Sequence, residues 1–254
     1  MNFEDLLTFS VTAFILTFAR LGATAMIMPG IGDSFVSTRI RLLIALSLSF
    51  VLTPVAMKYM PTPLPTSFDL YLLIMMEVIV GVFIGTIMRI FMSALDTAGM
   101  IISFQSGLAN AQVFNPSFAA QGSLIGAFMS VTGVVVLFSS DLYLLLIYGL
   151  VDCYKIFPIG QLPAAGDMAQ VVSKAVSASF LIGMKIALPF MIIALVLYVG
   201  MGVLARLIPQ VQVFILSLPI LLLLSMLTMS LIISAGMMFW LRQFQDNMAY
   251  FFSM

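Results

Sequence analysis

The chain has 254 residues, 63% of them hydrophobic and only 8% charged, and a mean hydropathy of +1.21. That composition excludes a soluble domain and describes a polytopic all-α membrane protein with room for about six apolar helices and no extramembrane domain. Ten basic residues balance ten acidic ones, histidine is absent and Cys153 is alone, so nucleic-acid binding, a disulfide framework and most metal or acid–base chemistry lose their parts.

The first apolar run extends from Leu6 to Met28. Glu4 and Asp5 stand where a signal peptide carries positive charge, and the run is too long for one, so it reads as a retained span. Arg20 is costly in hydrocarbon and must face protein, water or, by snorkelling, the headgroups. Pro29-Gly30-Ile31-Gly32-Asp33 then breaks the helix, and its Gly-x-Gly lacks the strand and third glycine of a dinucleotide fingerprint. Arg39 and Arg41 head the second run, Ile40 to Met57, and mark a cytoplasmic loop by the positive-inside rule. Pro54, Pro61, Pro63 and Pro65 stiffen the connection that follows.

In the third run, Leu70 to Met92, Glu77, Gly81, Gly85 and Arg89 recur every fourth residue and share one face. Gly81 and Gly85 form a Gly-x-x-x-Gly pair that lets another helix approach closely, so this face is expected to be an assembly surface. Glu77 and Arg89 lie roughly 18 Å apart along the helix and need separate partners. Asp96, Gly99, Ser103, Ser106 and Asn110 continue at three- and four-residue spacing, a small and polar stripe that wants protein or water beside it.

That stripe leads into Ser103 to Pro116, the one long weakly polar stretch between strongly apolar runs. Gly107 and Asn115-Pro116 end helices. Irregular backbone at membrane depth survives only inside protein or along an aqueous cavity. The stretch is therefore either a gate or pore element or a solvated loop behind a short amphipathic helix.

Gly122 and Gly126, a second Gly-x-x-x-Gly, open a run to Tyr148 nicked by Ser139-Ser140-Asp141. It reads as one span to Phe138 and a shorter apolar piece, with a single tilted helix as the alternative. Val151 to Lys174 reads as an external loop with a helix start near its end. The fifth run, Ala175 to Val203, holds Lys185 and Pro189; the sixth, Val211 to Trp240, holds Pro219. The short tip Arg206-Leu207-Ile208-Pro209-Gln210 joins them as an antiparallel hairpin, kinked at each proline. Arg39, Arg41, Arg89 and Arg206 on the cytoplasmic side put both termini outside, with Lys58, Lys155 and Lys174 opposing.

In order and spacing these residues resemble the FliR family, the export-gate subunit of flagellar type III secretion, injectisome homologues included. The resemblance spans nearly the whole chain. It rests on Phe18-Ala19-Arg20-x-Gly22 with Pro29-Gly30-x-Gly32, on Val36-x-x-Arg39-x-Arg41 followed by Ala45, and on Glu77, Gly81 and Gly85. Further marks are Gly99 with Gln105-x-Gly107, Asn115-Pro116, and Gly202-x-x-Ala205-Arg206-x-x-Pro209-Gln210-x-x-x-Phe214 ending at Pro219.

The resemblance implies a single membrane-embedded conduit domain with no catalysis and no cofactor, in the bacterial inner membrane at the flagellar basal body. Residues 1–150 would be similar in shape to FliP-like subunits and 175–254 to FliQ-like ones. Implied partners are those two proteins, the FlhB-like and FlhA-like export proteins, and the exported protein substrates. The family's channel plug maps onto Gly107 to Pro116. Ser37, Asn115 and Gln212 depart from residues common in the family, and Asn110 and Val113 hold the plug's aromatic positions. Leu108, Val113 and Phe114 then become the expected seal, with Asn110 and Gln112 hydrogen-bonding the closed loop. Some of the 21 methionines would suit a deformable gasket, although most read as packing residues.

Two other classes compete. A secondary transporter would use Glu77, Arg89 and Lys185 as an intramembrane site, but no inverted repeat supports it. An intramembrane hydrolase at Gln105-Ser106-Gly107 lacks both a histidine and the Gly-x-Ser-x-Gly elbow.

Overall fold

The structure, a computed structural model, describes residues 3–60, 67–109, 123–208 and 213–253, with side chains left aside at 3–8, 67 and 213–216. Among them the chain forms seven α-helices and a single 3-10 turn, Met57–Tyr59, with no strand. The helices are α1 Phe3–Ile27, α2 Thr38–Ala56, α3 Ser67–Gln105, α4 Leu124–Ser139, α5 Leu142–Ile156, α6 Ala165–Leu207 and α7 Val213–Ser253. Five of them are long and apolar enough to cross a membrane, and α4 with α5 makes a sixth if the bent pair is one span. About six apolar helices is thus the observed architecture.

The apolar runs became helices, but some of their limits moved. The third run and the polar stripe behind it as far as Ser103 form one 39-residue helix, α3. Nothing between Met92 and Asp96 breaks a helix, and Asp69 in the first turn complements the N-terminal dipole. The segment 151–174, expected as a loop, is mostly helical: α5 runs to Ile156 and α6 starts at Ala165. Pro158, Gly160 (φ 81°) and Pro163 confine the break to the eight residues between them, and Asp167 favours the new start.

The sixth run passes Trp240 and continues to Ser253. Trp240, Phe244, Met248 and Phe251 are buried at three- and four-residue spacing, so an apolar stripe persists among Arg242, Gln243, Gln245, Asp246 and Asn247. Of the two readings of the Ser139-Ser140-Asp141 nick, the structure takes the broken one. Asp141 adopts the left-handed conformation (φ 58°), which aspartate tolerates better than most residues, and the helix breaks there. Pro54, Pro189 and Pro219 lie inside continuous helices.

The helices make up two compact units. One comprises residues 1–91, 140–176 and 245–254; the other comprises 92–139 and 177–244. In the first, α1 packs on α2, and the core is built from residues such as Leu16, Leu21, Ile84, Met88, Leu146, Tyr154 and Met248. There Gly149 leaves room for the Phe252 ring. In the second, Leu95, Ile102, Met129, Phe190, Trp240 and Phe244 form the interior, and Gly133 lies beneath Leu95, Met92 and Trp240.

The close approaches make a graded prediction about stability. A methyl group at Gly81 would collide with the Arg20 backbone carbonyl, whereas Gly200 has open space around it. Gly81→Ala should therefore cost about 1–3 kcal/mol or more, because backbone cannot move aside cheaply. Gly200→Ala should be neutral or stabilise by up to about 1 kcal/mol. Thermal unfolding in detergent, followed by size-exclusion fluorescence, checks the order; equal melting temperatures would contradict it.

Candidate functional site

The charges of the first unit are organised by the face that Glu77, Gly81, Gly85 and Arg89 share on α3. The helix lying along it is the chain's own α1. Gly81 faces the Arg20 carbonyl and the Ala23 methyl, and a Cβ built at Gly85 would stand 3.0 Å from Ile27 Cβ and 3.1 Å from the Thr24 carbonyl. Thr24 Oγ1 lies within hydrogen-bonding distance of both the Arg20 and Gly81 carbonyls, at 2.9 and 3.0 Å. Because the backbones meet at Gly81, Glu77 one turn earlier reaches the Arg20 guanidinium.

Arg20 donates from Nε to Glu77 Oε2 at 2.6 Å and from Nη2 to Oε1 at 3.0 Å, a bidentate pair with both side chains at most 1% exposed. Its Nη1 donates to the Phe157 carbonyl at 2.8 Å and lies 3.8 Å from Cys153 Sγ, while Cζ stands 4.3 Å from the centre of the Tyr154 ring. A guanidinium so surrounded is matched in charge, donors and aromatic face, the condition under which ions persist away from water. Arg20 is therefore neither a headgroup anchor nor exposed to water. Its partners on α5 and the following turn were not legible in sequence, although Arg20 is the solitary charge of its apolar run and Glu77 shares its own only with Arg89.

At the other end of the same face, Arg89 pairs with Asp33, in the Pro29–Asp33 break. Asp33 also accepts from the Gly30 N–H at 2.7 Å, and Arg41 donates to the Asp33 and Val36 carbonyls at 2.7–3.0 Å. The turn after α1 is thus closed by arginines from α2 and α3. The residues grouped as a transporter site have separate partners: Glu77 holds Arg20, Arg89 holds Asp33, and Lys185 lies 6.0 Å from the centre of the Phe239 ring.

In the second unit the stripe Asp96, Gly99, Ser103 meets α4. Gly99 lies against the backbone of Gly126, so these two glycines mark a second helix crossing. Ser130 donates to Asp96. Ser123 caps α4 by accepting the Gly126 N–H at 3.0 Å, reaches the Gly99 carbonyl at 3.0 Å, and its Oγ lies 2.7 Å from Ser103 Oγ. α3 ends at Gln105, and Gly107 reverses the chain at φ 77°, with Ala109 N–H donating to the Ser103 carbonyl at 3.1 Å. Leu108 N–H faces Ser106 Oγ at 3.4 Å. Residues on both sides of the segment 110–122 are thereby tied together. Asn110, Gln112, Val113, Phe114, Asn115, Pro116 and Gly122 lie outside the described residues, as do Pro209 and Gln210 at the hairpin tip; Arg206 beside them is exposed.

Residues 11–247 match the model of a family described as bacterial export proteins, family 1. The chain is similar to the flagellar biosynthetic protein FliR of Caulobacter vibrioides, 34% identical over 94% of this chain and 95% of that one. It is also similar to FliR of Pectobacterium carotovorum, 25% identical over 88% and 85%. The Yop proteins translocation protein T of Yersinia pestis is 29% identical over 85% of this chain and 84% of its own length.

The buried pair makes an asymmetric prediction. Glu77→Gln or Arg20→Gln alone should cost roughly 3–5 kcal/mol, since each leaves an uncompensated buried charge. The joint replacement Arg20→Met with Glu77→Leu should cost less than either single change. Breaking the half-exposed pair with Arg89→Gln should cost about 1 kcal/mol or less. Melting temperatures in detergent for the four variants test this; a double variant as damaged as either single, or more so, would contradict it.

Proposed function

Since this chain belongs to family 1 of the bacterial export proteins, the FliR family of type III export, we propose that it is the gating subunit of its apparatus. It is a membrane component of the type III secretion export apparatus. In this reading it conducts unfolded flagellar proteins across the inner membrane, and residues 107–116 close the channel at rest. It has no catalysis of its own. Its neighbours are FliP-like and FliQ-like subunits, with residues 1–150 built like the former and 175–254 like the latter, and the FlhB-like and FlhA-like proteins lie beside them.

The observation that supports a plug most is the pinned base of the segment 110–122. Ser103 and Ser123 bring its two flanks together, 2.7 Å apart at their hydroxyls. A long, weakly polar stretch on such a base leaves the helices in place whatever the stretch does. The transporter reading has no matching support, because Glu77 and Arg89 already have ion partners within the first unit.

Two measurements test the proposal. Extracted gently from cells that express its neighbours, the tagged chain should come out in a defined complex with FliP-like and FliQ-like proteins; recovery alone would count against subunit assembly. Deleting residues 107–116 in that complex should raise resting ion leakage several-fold in planar bilayers. Unchanged leakage with the complex intact would remove the plug while leaving the export role standing.

A further inference from the structure

Within the second unit α6 and α7 run antiparallel. Ile186 packs on Gly236, and Ile186 and Phe190 share a small cavity with Met229, Ile232 and Ile233. Lys185 reaches the Phe239 ring. Arg242 follows one turn after Phe239 on α7, so Lys185 and Arg242 lie within about one helical turn of each other along the helix pair. Both side chains are exposed. No carboxylate of the described residues pairs with either.

From this level towards the hairpin tip the surface changes character. Residues 186–205 on α6 and 213–241 on α7 carry no charge. Leu188, Ile192, Leu195, Val196, Val199 and Val203 are exposed on α6, and Ile220, Leu223, Leu227 and Leu231 on α7. The next charge along α6 is Arg206, also exposed. Lys185 and Arg206 are separated by 21 helical steps, about 31 Å of rise, which matches the roughly 30 Å of a bilayer's hydrocarbon core. The remainder of α6, Ala165 to Met184, has a different texture, with Asp167, Gln170, Ser173, Lys174, Ser177 and Ser179 distributed along it.

We propose that Lys185 and Arg242 form a binding site for the phosphate headgroup of an anionic phospholipid, at one edge of a bilayer-thick apolar band whose other edge is Arg206. The acyl chains would lie on the exposed leucine and isoleucine side chains below, and Phe239 would hold the lysine stem at the interface. An acidic protein segment would satisfy the two cations equally well. It would not account for a charge-free surface on both helices that ends at the next basic residue one membrane thickness away.

The purified full-length chain provides the test, and the result is independent of the plug. Radiolabelled phosphatidylglycerol is titrated against phosphatidylcholine in mixed micelles at low salt. Preference for the anionic lipid should fall about fivefold for Lys185→Gln or Arg242→Gln and roughly 30-fold for both together, as expected for about 1 kcal/mol per cation near anionic lipid. Lys174→Gln, an exposed cation outside the band, should leave it unchanged. Spin labels at positions 185, 195 and 206 in nanodiscs give the depth, with buried Cys153 left in place. The label at 195 should be accessible to oxygen and those at 185 and 206 to a water-soluble nickel chelate. Equal lipid preference in all variants, or an equal loss with Lys174→Gln, would overturn the headgroup site. A label at 195 shielded from both reagents would show protein covering the band and overturn it too.

Discussion

The contact on which the first unit depends is the crossing of α1 and α3 at Gly81. Removing a side chain at that one position lets the Arg20 backbone lie against α3, and this approach sets the reach of every polar group along the seam. Glu77 then meets the Arg20 guanidinium, Thr24 bridges the two backbones, and Arg89 arrives at Asp33 in the turn that follows α1. Desolvating two charges is expensive, and only bidentate geometry with every donor placed makes it tolerable. Here the Phe157 carbonyl, Cys153 and the Tyr154 face complete the shell, so α5 is positioned by the same ion that joins α1 to α3.

The second unit repeats the device with weaker chemistry. Gly99 and Gly126 give the backbone approach, and serines take the place of charges: Ser123 caps its own helix, touches the Gly99 carbonyl and meets Ser103. Hydroxyls that bind neighbouring backbone are cheap to bury and give direction without a net charge. The consequence falls on the segment between the two helices, whose flanks stay together because the helices cannot part without losing the crossing. For a family of export proteins this is a mechanically sensible base for the plug proposed above.

The three longest helices have contour lengths of about 58, 64 and 62 Å, roughly twice the hydrocarbon thickness of a bilayer. Length and hydropathy alone therefore overstate how much of each helix meets lipid. Charges along the helices discriminate better. Arg20 and Glu77 are hidden within protein, whereas Lys185, Arg206 and Arg242 remain at the surface. A charge in an apolar helix thus has opposite meanings according to whether a partner lies opposite it.

The membrane class, the all-helical fold and the Gly107 break follow from composition and local chemistry, because hydropathy and glycine or proline torsions act on the chain one stretch at a time. The four-residue spacing of Glu77, Gly81, Gly85 and Arg89 was visible too, as was the need of each charge for a partner. The identity of those partners was not, since Arg20 lies 57 positions from Glu77 and Phe157 another 80 beyond. The same spacing reads as a face for close helix approach, and within this chain α1 lies along it. Helix limits moved where long-range packing outweighed local polarity, as when Phe244, Met248 and Phe251 carried α7 through its polar end. Sequence determines which faces must be covered, because desolvation is a property of the residue; tertiary structure decides what covers them, because complementarity belongs to the pair.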